Sequence, residues 1–507
     1  MVAEKRDSMT ISQSHDSPSD FTSKALSNDE YQLAQLGYKQ EFFRTLGLFE
    51  NWAATFTTMN FISGIPMMFA FVMSTGGPEA AFANWTMVGG LSFVVSLAMA
   101  EIASALPVAG GIYYWSFYLG GKKWGPFLSW MTAWWNWAGW ITVPCGVQQG
   151  ATNFLISALE IQYPNAEVLT KGWFSWILTS LGILIAMLPN IISPRVLLAE
   201  TSNHRREYFN ISLIISMKAT ESKLRMGTAG LYRRFSYDAS AHLAEETKEA
   251  SEVVAKGMWM ATLSGWLLSI PTLILILFCI QDFDAIIAAT YANNWAEYLM
   301  QLIGPAGSTA ILVLLWVDST CATASAFMSA QRVTYAISRD NVLPFSRYFR
   351  KLTTTHRMPL HAAFLVATVS IAISTAVIGS SVAFSAITAM STIATNVSYL
   401  FPIIARQTVG AGAFVPAKWN LGRASPVVAT ISSVWIFYLL VVLSLPQVYP
   451  VTGTTLNYAP VMIGAVTLIS LVGWVFPFGL GGKYWFKGPQ TTITDEDVLE
   501  ATIPEMS

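Results

Sequence analysis

Two stretches of this 507-residue sequence put chemistry-bearing residues inside apolar runs. In LLWVDSTCATAS, residues 314–325, Asp318 and Ser319 lie in the middle of one run. An isolated ionised carboxylate there is expensive, so Asp318 must face a partner, a cavity or a proton. It suits contact with a substrate amine, and Ser319 supplies a neighbouring hydroxyl. In FISGIPMMF, residues 61–69, Ser63, Gly64, Ile65 and Pro66 interrupt a helical pattern. Pro66 removes a backbone donor and Gly64 admits unusual torsions. Non-helical backbone at membrane depth is tolerated only where it is buried in protein or lines a cavity. A half-helix starting there turns its positive dipole end toward the cavity, which suits a carboxylate. A proline kink without a ligand is the plainer reading of the same residues.

A third run, WMTAWWNWAGW, places Trp130, Trp134 and Trp137 on one helical face. Such a face can hold an organic cation or pack against another helix. Glu101, in AMAEIASALP, sits near the end of its run and fits a structural or gating role. No metal or redox chemistry is expected: the three cysteines, Cys145, Cys279 and Cys321, lie singly in apolar runs, and no cofactor pattern accompanies them. The five histidines are scattered at 15, 204, 242, 356 and 361, which argues against an integral membrane enzyme. Asn84-Trp85-Thr86 is a glycosylation sequon that abuts the membrane.

The elements that hold these residues follow from composition. The chain is 53% hydrophobic and only 12% charged, against roughly 45–50% and 25% in soluble proteins. That belongs in a lipid bilayer. The net charge of −1 excludes a basic nucleic-acid binder. Ten runs are long enough to span, near 51–75, 84–106, 127–157, 172–193, 257–280, 305–331, 360–379, 383–405, 426–445 and 460–479. The small residues of SAITAMSTIAT, 385–395, allow helices to approach closely. Alternating loops hold 28 of the 29 Lys and Arg residues on one side, leaving Lys171 on the other. Positive charge marks the cytosolic side, so both termini are expected there. Residues 1–47 and 481–507 read as cytosolic tails, the first disordered by its polar composition. The transporter domain is expected over 48–480.

Residues 195–256 carry ten of the basic residues. The spans on either side fix both ends of this segment on one side, so it crosses twice or not at all. Its longest apolar window, YFNISLIISM at 208–217, is half a span.

Four stretches together resemble fungal permeases of the amino acid–polyamine–organocation superfamily, in the branch of GABA, choline and amino-acid permeases. They are EIASALPVAGGIYYW (101–115), YDASAHLAEETKEAS (237–251), SAQRVTYAISRDNVLP (329–344) and KWNLGRASP (418–426). The resemblance covers about 45–195 and 236–480. It implies an all-α polytopic membrane protein of twelve helices: two inverted five-helix repeats and two further C-terminal helices. It implies a substrate site at mid-membrane between broken first and sixth helices, lined by the third and eighth. By position, Ser63, Gly64 and Ile65 match the unwound part of the first helix. Trp134, Trp137, Asp318 and Ser319 match the lining helices. Tyr237, Asp238, Ala239 and His242 match the cytosolic half of the sixth, where gating or coupling residues are expected. Proton coupling is also implied by the resemblance alone. The departure is the polar segment 195–235, which replaces the fifth helix and half of the sixth; it reads as a gene-model fault or as a shortened paralogue.

The expected function is therefore secondary active transport of a small amino compound across the plasma membrane, with lipid, substrate and protons as partners. The rival is a transport-incompetent paralogue or nutrient sensor.

Overall fold

The computed structural model describes residues 28–40, 44, 46–59, 61–191, 237–353, 358–379, 381–445, 452 and 456–490. The polar segment 195–235, with the question of how often it crosses, lies outside these residues. The first half of the chain forms α1 (Asn28–Gln35), α2 (Leu48–Thr58), α3 (Phe61–Ala105), α4 (Ile112–Gln162) and α5 (Gly172–Ile191). The second half begins with α6 (Ala239–His242), α7 (Ala250–Phe278), α8 (Phe283–Ala288) and α9 (Trp295–Arg339). It continues through α10 (Ser346–Phe349), α11 (Leu360–Ser374), α12 (Ala376–Gly379) and α13 (Ser381–Gln407). It closes with α14 (Ser425–Ser444), α15 (Ala459–Val475) and α16 (Gly482–Trp485). Among the described residues the only β pairing is an isolated bridge between Leu46 and Thr247.

Each of the ten apolar runs lies on these helices. Among the described residues, six segments are long and apolar enough to cross a bilayer: Gly77–Ala105, Gly172–Ile191, Ala250–Phe278, Trp295–Arg339, Leu360–Gly379 and Gly422–Ser444. The remaining runs fall on the broken α2–α3 pair, the second part of α4, α13 and the shorter α15. The exposure pattern is that of a membrane protein: on α14, Val434 is 65% exposed while Ser432 is fully buried. Small polar groups face the bundle and aliphatic ones face outward. The molecule is an all-α polytopic membrane protein.

Three long helices turn at glycines. Gly77, Gly121 and Gly304 take φ of 70°, 64° and 68° within α3, α4 and α9. That left-handed torsion is costly for a residue with a Cβ. Pro78 and Pro305 follow two of these corners, where a helix start has no use for the missing N–H. The small-residue stretch of α13 does meet a neighbour closely. A Cβ on Gly139 of α4 would lie 2.6 Å from the Thr395 side chain, and Ser391 donates to the Gly139 carbonyl at 3.1 Å.

The first-span interruption falls one turn earlier than the Ser63-Gly64-Ile65-Pro66 stretch. Helix α2 ends at Thr58, with Met59 as its cap, and α3 starts at Phe61. A proline is felt upstream, because its ring opposes the carbonyl four residues before it. For Pro66 that is Ile62, and the break settles just ahead of it. Ser63 and Gly64 consequently occupy the opening turn of α3.

The terminal tails also differ from their composition-based reading. Residues 28–35 form a helix, and Leu33, Tyr38 and Leu46 are buried, at 1%, 1% and 0% exposure. At the other terminus Phe486 is buried, and its ring lies 5.5 Å from that of Trp130. Three apolar anchors within a polar stretch are enough to dock it.

Candidate functional site

The opening turn of α3 and the middle of α9 meet through one buried hydrogen bond. Ser63 Oγ donates to Asp318 Oδ2 at 2.9 Å, and both residues are buried. Asp318 lies about 21 Å along α9 from the Gly304 corner, inside the Trp295–Arg339 stretch that is long and apolar enough to span. The sequence named both residues, and the fold brings them together across 255 positions. Beside them, the buried Ser319 Oγ has no hydrogen-bond partner among the described residues. On facing α4, Gln148 Nε2 donates to Thr320 Oγ1 at 3.4 Å, while Gln148 Oε1 has no partner among the described residues. A polar atom left unpaired in the interior costs about 1–3 kcal/mol. Ser319 Oγ adjoins Asp318 in sequence, and Gln148 Oε1 is a second unpaired polar atom on the α4 side of α9. Ile65, by contrast, packs in an apolar cluster with Phe69, Met73, Trp295 and Leu312. It is scaffold for the opening turn.

The tryptophan face is not part of this group. Trp137 Nε1 donates to Thr334 Oγ1 at 3.2 Å, a position about 24 Å further along α9 than Asp318. Trp134 stacks edge-on against Trp137 with ring centres 5.9 Å apart. Trp130 donates to the Ser470 carbonyl at 2.8 Å and contacts Trp474, Trp485 and Phe486. These rings join α4 to α9, α15 and α16, which is the packing alternative.

A second buried cluster surrounds Asp238. Its Oδ2 accepts from Trp140 Nε1 at 2.9 Å and faces His242 Nε2 at 3.1 Å. Its Oδ1 accepts from the Tyr399 hydroxyl at 2.6 Å. The Tyr237 ring packs tilted against Tyr399, with ring centres 5.1 Å apart. His242 turns its other nitrogen to the Ala109 carbonyl at 3.5 Å. One carboxylate thereby fastens the 237–242 segment to α4 and α13. The same segment holds α2, where Asn51 donates to Thr247 Oγ1 at 3.0 Å and accepts from Ser240. Trp140 and Tyr399 escaped the sequence reading. The indole belongs to the tryptophan-rich run, but nothing in its spacing points at a residue 98 positions away.

Glu101 performs a joining role. It pairs with Arg406 at 3.0 Å, and its other oxygen accepts from Ser425 Oγ at 2.7 Å. The backbone N–H of Leu421 donates to it as well, at 3.3 Å. This links α3 to α13 and to the KWNLGRASP loop, well away from the Ser63–Asp318 bond.

A broken first helix packed against a buried mid-helix carboxylate, inside a bundle of apolar spans, fits a membrane transport protein. Residues 49–197 and 227–467 match the amino acid permease family, and the chain belongs to it. The match is interrupted over 198–226, inside the polar segment that the sequence set apart. Curated relatives agree along almost the whole length. The amino-acid permease BAT1 homolog of Oryza sativa subsp. japonica is 30% identical, over 91% of this chain and 95% of its own. The thiamine transporter thi9 of Schizosaccharomyces pombe is 28% identical, over 88% and 85%. The GABA-specific permease of Saccharomyces cerevisiae is 23% identical, over 94% and 88%. The protein is a multi-pass membrane permease of amino compounds and not an enzyme.

Proposed function

We propose that this chain is a secondary active, proton-coupled permease of the plasma membrane, with both termini in the cytosol, that carries a small amino compound such as GABA, choline or another amino acid. The observation that carries the reading is the Ser63–Asp318 hydrogen bond between the first-helix break and mid-α9. The dipole at the start of α3 favours a carboxylate or polar end of the substrate. The Asp318 carboxylate favours a cationic nitrogen, and Ser63, Gly64 and Ser319 complete the contact. GABA and thiamine, named for two relatives, both carry a positively charged nitrogen, which accords with a carboxylate in the site. Alternating access follows from two bundles rocking about this point, with Glu101, Tyr237, Asp238 and His242 in the joints between helices. The interruption of the family match over 198–226 supports one other reading, a transport-incompetent paralogue or nutrient sensor.

Ligand binding to the folded state raises thermal stability by mass action. The purified full-length chain, tested against a panel of amino compounds, is expected to gain several degrees in Tm with at least one ammonium-bearing compound. The corresponding carboxylic acids or alcohols without nitrogen should give none. A panel with no shift at millimolar ligand, or shifts indifferent to the ammonium group, contradicts the proposed site.

A further inference from the structure

Both terminal segments converge on two consecutive residues at the end of α9. Arg339, buried, pairs with Glu245 at 3.4 Å and lies 4.3 Å from the centre of the Tyr38 ring, in the N-terminal segment. Asp340, fully buried, accepts from the Tyr113 hydroxyl at 2.6 Å and from the backbone N–H of Gln490, in the C-terminal segment, at 3.1 Å.

The N-terminal segment is held at several further points, all on the 237–250 stretch or the loop-proximal part of α4. Arg44 donates to the carbonyls of Ala244 and Thr247 at 3.2 and 2.6 Å. Leu46 exchanges backbone hydrogen bonds with Glu246 and Lys248, at 3.0 and 2.9 Å. The Asp29 carboxylate accepts the N–H groups of Glu249 and Ala250, at 2.7 and 3.2 Å, where α7 begins. Tyr114 donates to the Leu36 carbonyl at 2.9 Å. Asp238 and His242 fasten the same stretch from the inside. The 237–250 stretch, the start of α4 and the end of α9 are therefore bridged by the N-terminal segment, and the end of α9 is tied to the C-terminal segment as well.

We propose that the two terminal segments form a clasp that holds this end of the bundle shut, with Arg339 and Asp340 as the positioning residues on which both close. A cation over an aromatic face and a carboxylate receiving an N–H are each strong enough to bias an opening equilibrium and weak enough to release. Arg339 and Asp340 are adjacent on one helix end, so a shift of α9 disturbs both attachments together. The consequence for transport rests on the permease reading; the clasp itself does not.

The test measures labelling by an impermeant maleimide in membranes open on both sides, using the full chain with Cys145, Cys279 and Cys321 changed to Ala. One reporter is Ala241→Cys, buried in the cluster that also holds Leu33 and Tyr38 of the N-terminal segment. The control reporter is Ala81→Cys, buried in the separate cluster around Phe69 and Trp295. Tyr38→Ala removes the ring under Arg339, and Gln490→Pro removes the N–H that reaches Asp340. Each is expected to speed labelling at 241 on the order of tenfold and leave 81 unchanged. Tyr38→Phe keeps the ring and loses only a hydroxyl that has no partner among the described residues, so labelling should stay slow. Unchanged labelling at 241, acceleration by only one of the two variants, equal acceleration at 81, or fast labelling in Tyr38→Phe each overturns the clasp. The readout needs no transported substrate, so its failure is separate from failure of the permease reading.

Discussion

Asp318→Asn lowers the kcat/KM of uptake by about ten- to a hundredfold, with the folded protein kept. The size is that of a hydrogen bond to a charged group, roughly 1.5–3 kcal/mol, converted to a rate ratio. The fold survives because the asparagine oxygen still accepts from Ser63 Oγ, the bond that joins α3 to α9. What is lost is the negative charge opposite the substrate nitrogen. The check is concentration-dependent uptake measured beside the amount of protein at the cell surface. Kinetics equal to those of the unaltered chain would remove Asp318 from the site.

Asp238 behaves differently, because its carboxylate holds structure together. Asp238→Ala strips the acceptor from the Trp140 indole, the Tyr399 hydroxyl and His242 at once. The buried Trp140 indole N–H left without its acceptor costs about 1–3 kcal/mol, and the lost Tyr399 and His242 bonds add to that, a large share of the about 5–15 kcal/mol stability of an ordinary protein. Asp238→Asn is expected to be far milder. Turned so that its oxygen faces Trp140 and His242, the amide donates to the Tyr399 oxygen, which accepts. Thermal unfolding of the solubilised chain should therefore show Asp238→Ala unfolded or severely lowered in Tm, and Asp238→Asn within several degrees of the unaltered protein. Equal Tm values for the alanine variant and the unaltered chain would mean that this cluster carries no load.

These two carboxylates also show what a sequence discloses. Asp318 is legible because a charge within an apolar run is anomalous wherever its partner lies, and the SGIP stretch is anomalous for the same reason. The spans are legible because each is a local property of about 20 residues. The identity of a partner is not local. Asp238 meets Trp140 and Tyr399 from positions 98 and 161 residues distant, and neither aromatic stands out among 19 Trp and 18 Tyr. The tryptophan face misleads in the other direction, since helical spacing reports a common side without saying what that side meets. Residues 28–46 read as a solvated tail on average composition, while Leu33, Tyr38 and Leu46 are too widely spaced to form a pattern. Helix α2 ends at Thr58, a turn ahead of the SGIP stretch, because proline acts on the carbonyl behind it.

The central claim is that the bundle carries an amino compound across the membrane. It is tested most directly by uptake of radiolabelled GABA, choline and other amino compounds in cells lacking their own permeases, with surface protein quantified in parallel. Saturable uptake of at least one ammonium-bearing compound, strongly reduced in Asp318→Asn at equal surface level, is the predicted result. No uptake of any of them at normal surface level would contradict the permease reading and favour the transport-incompetent alternative.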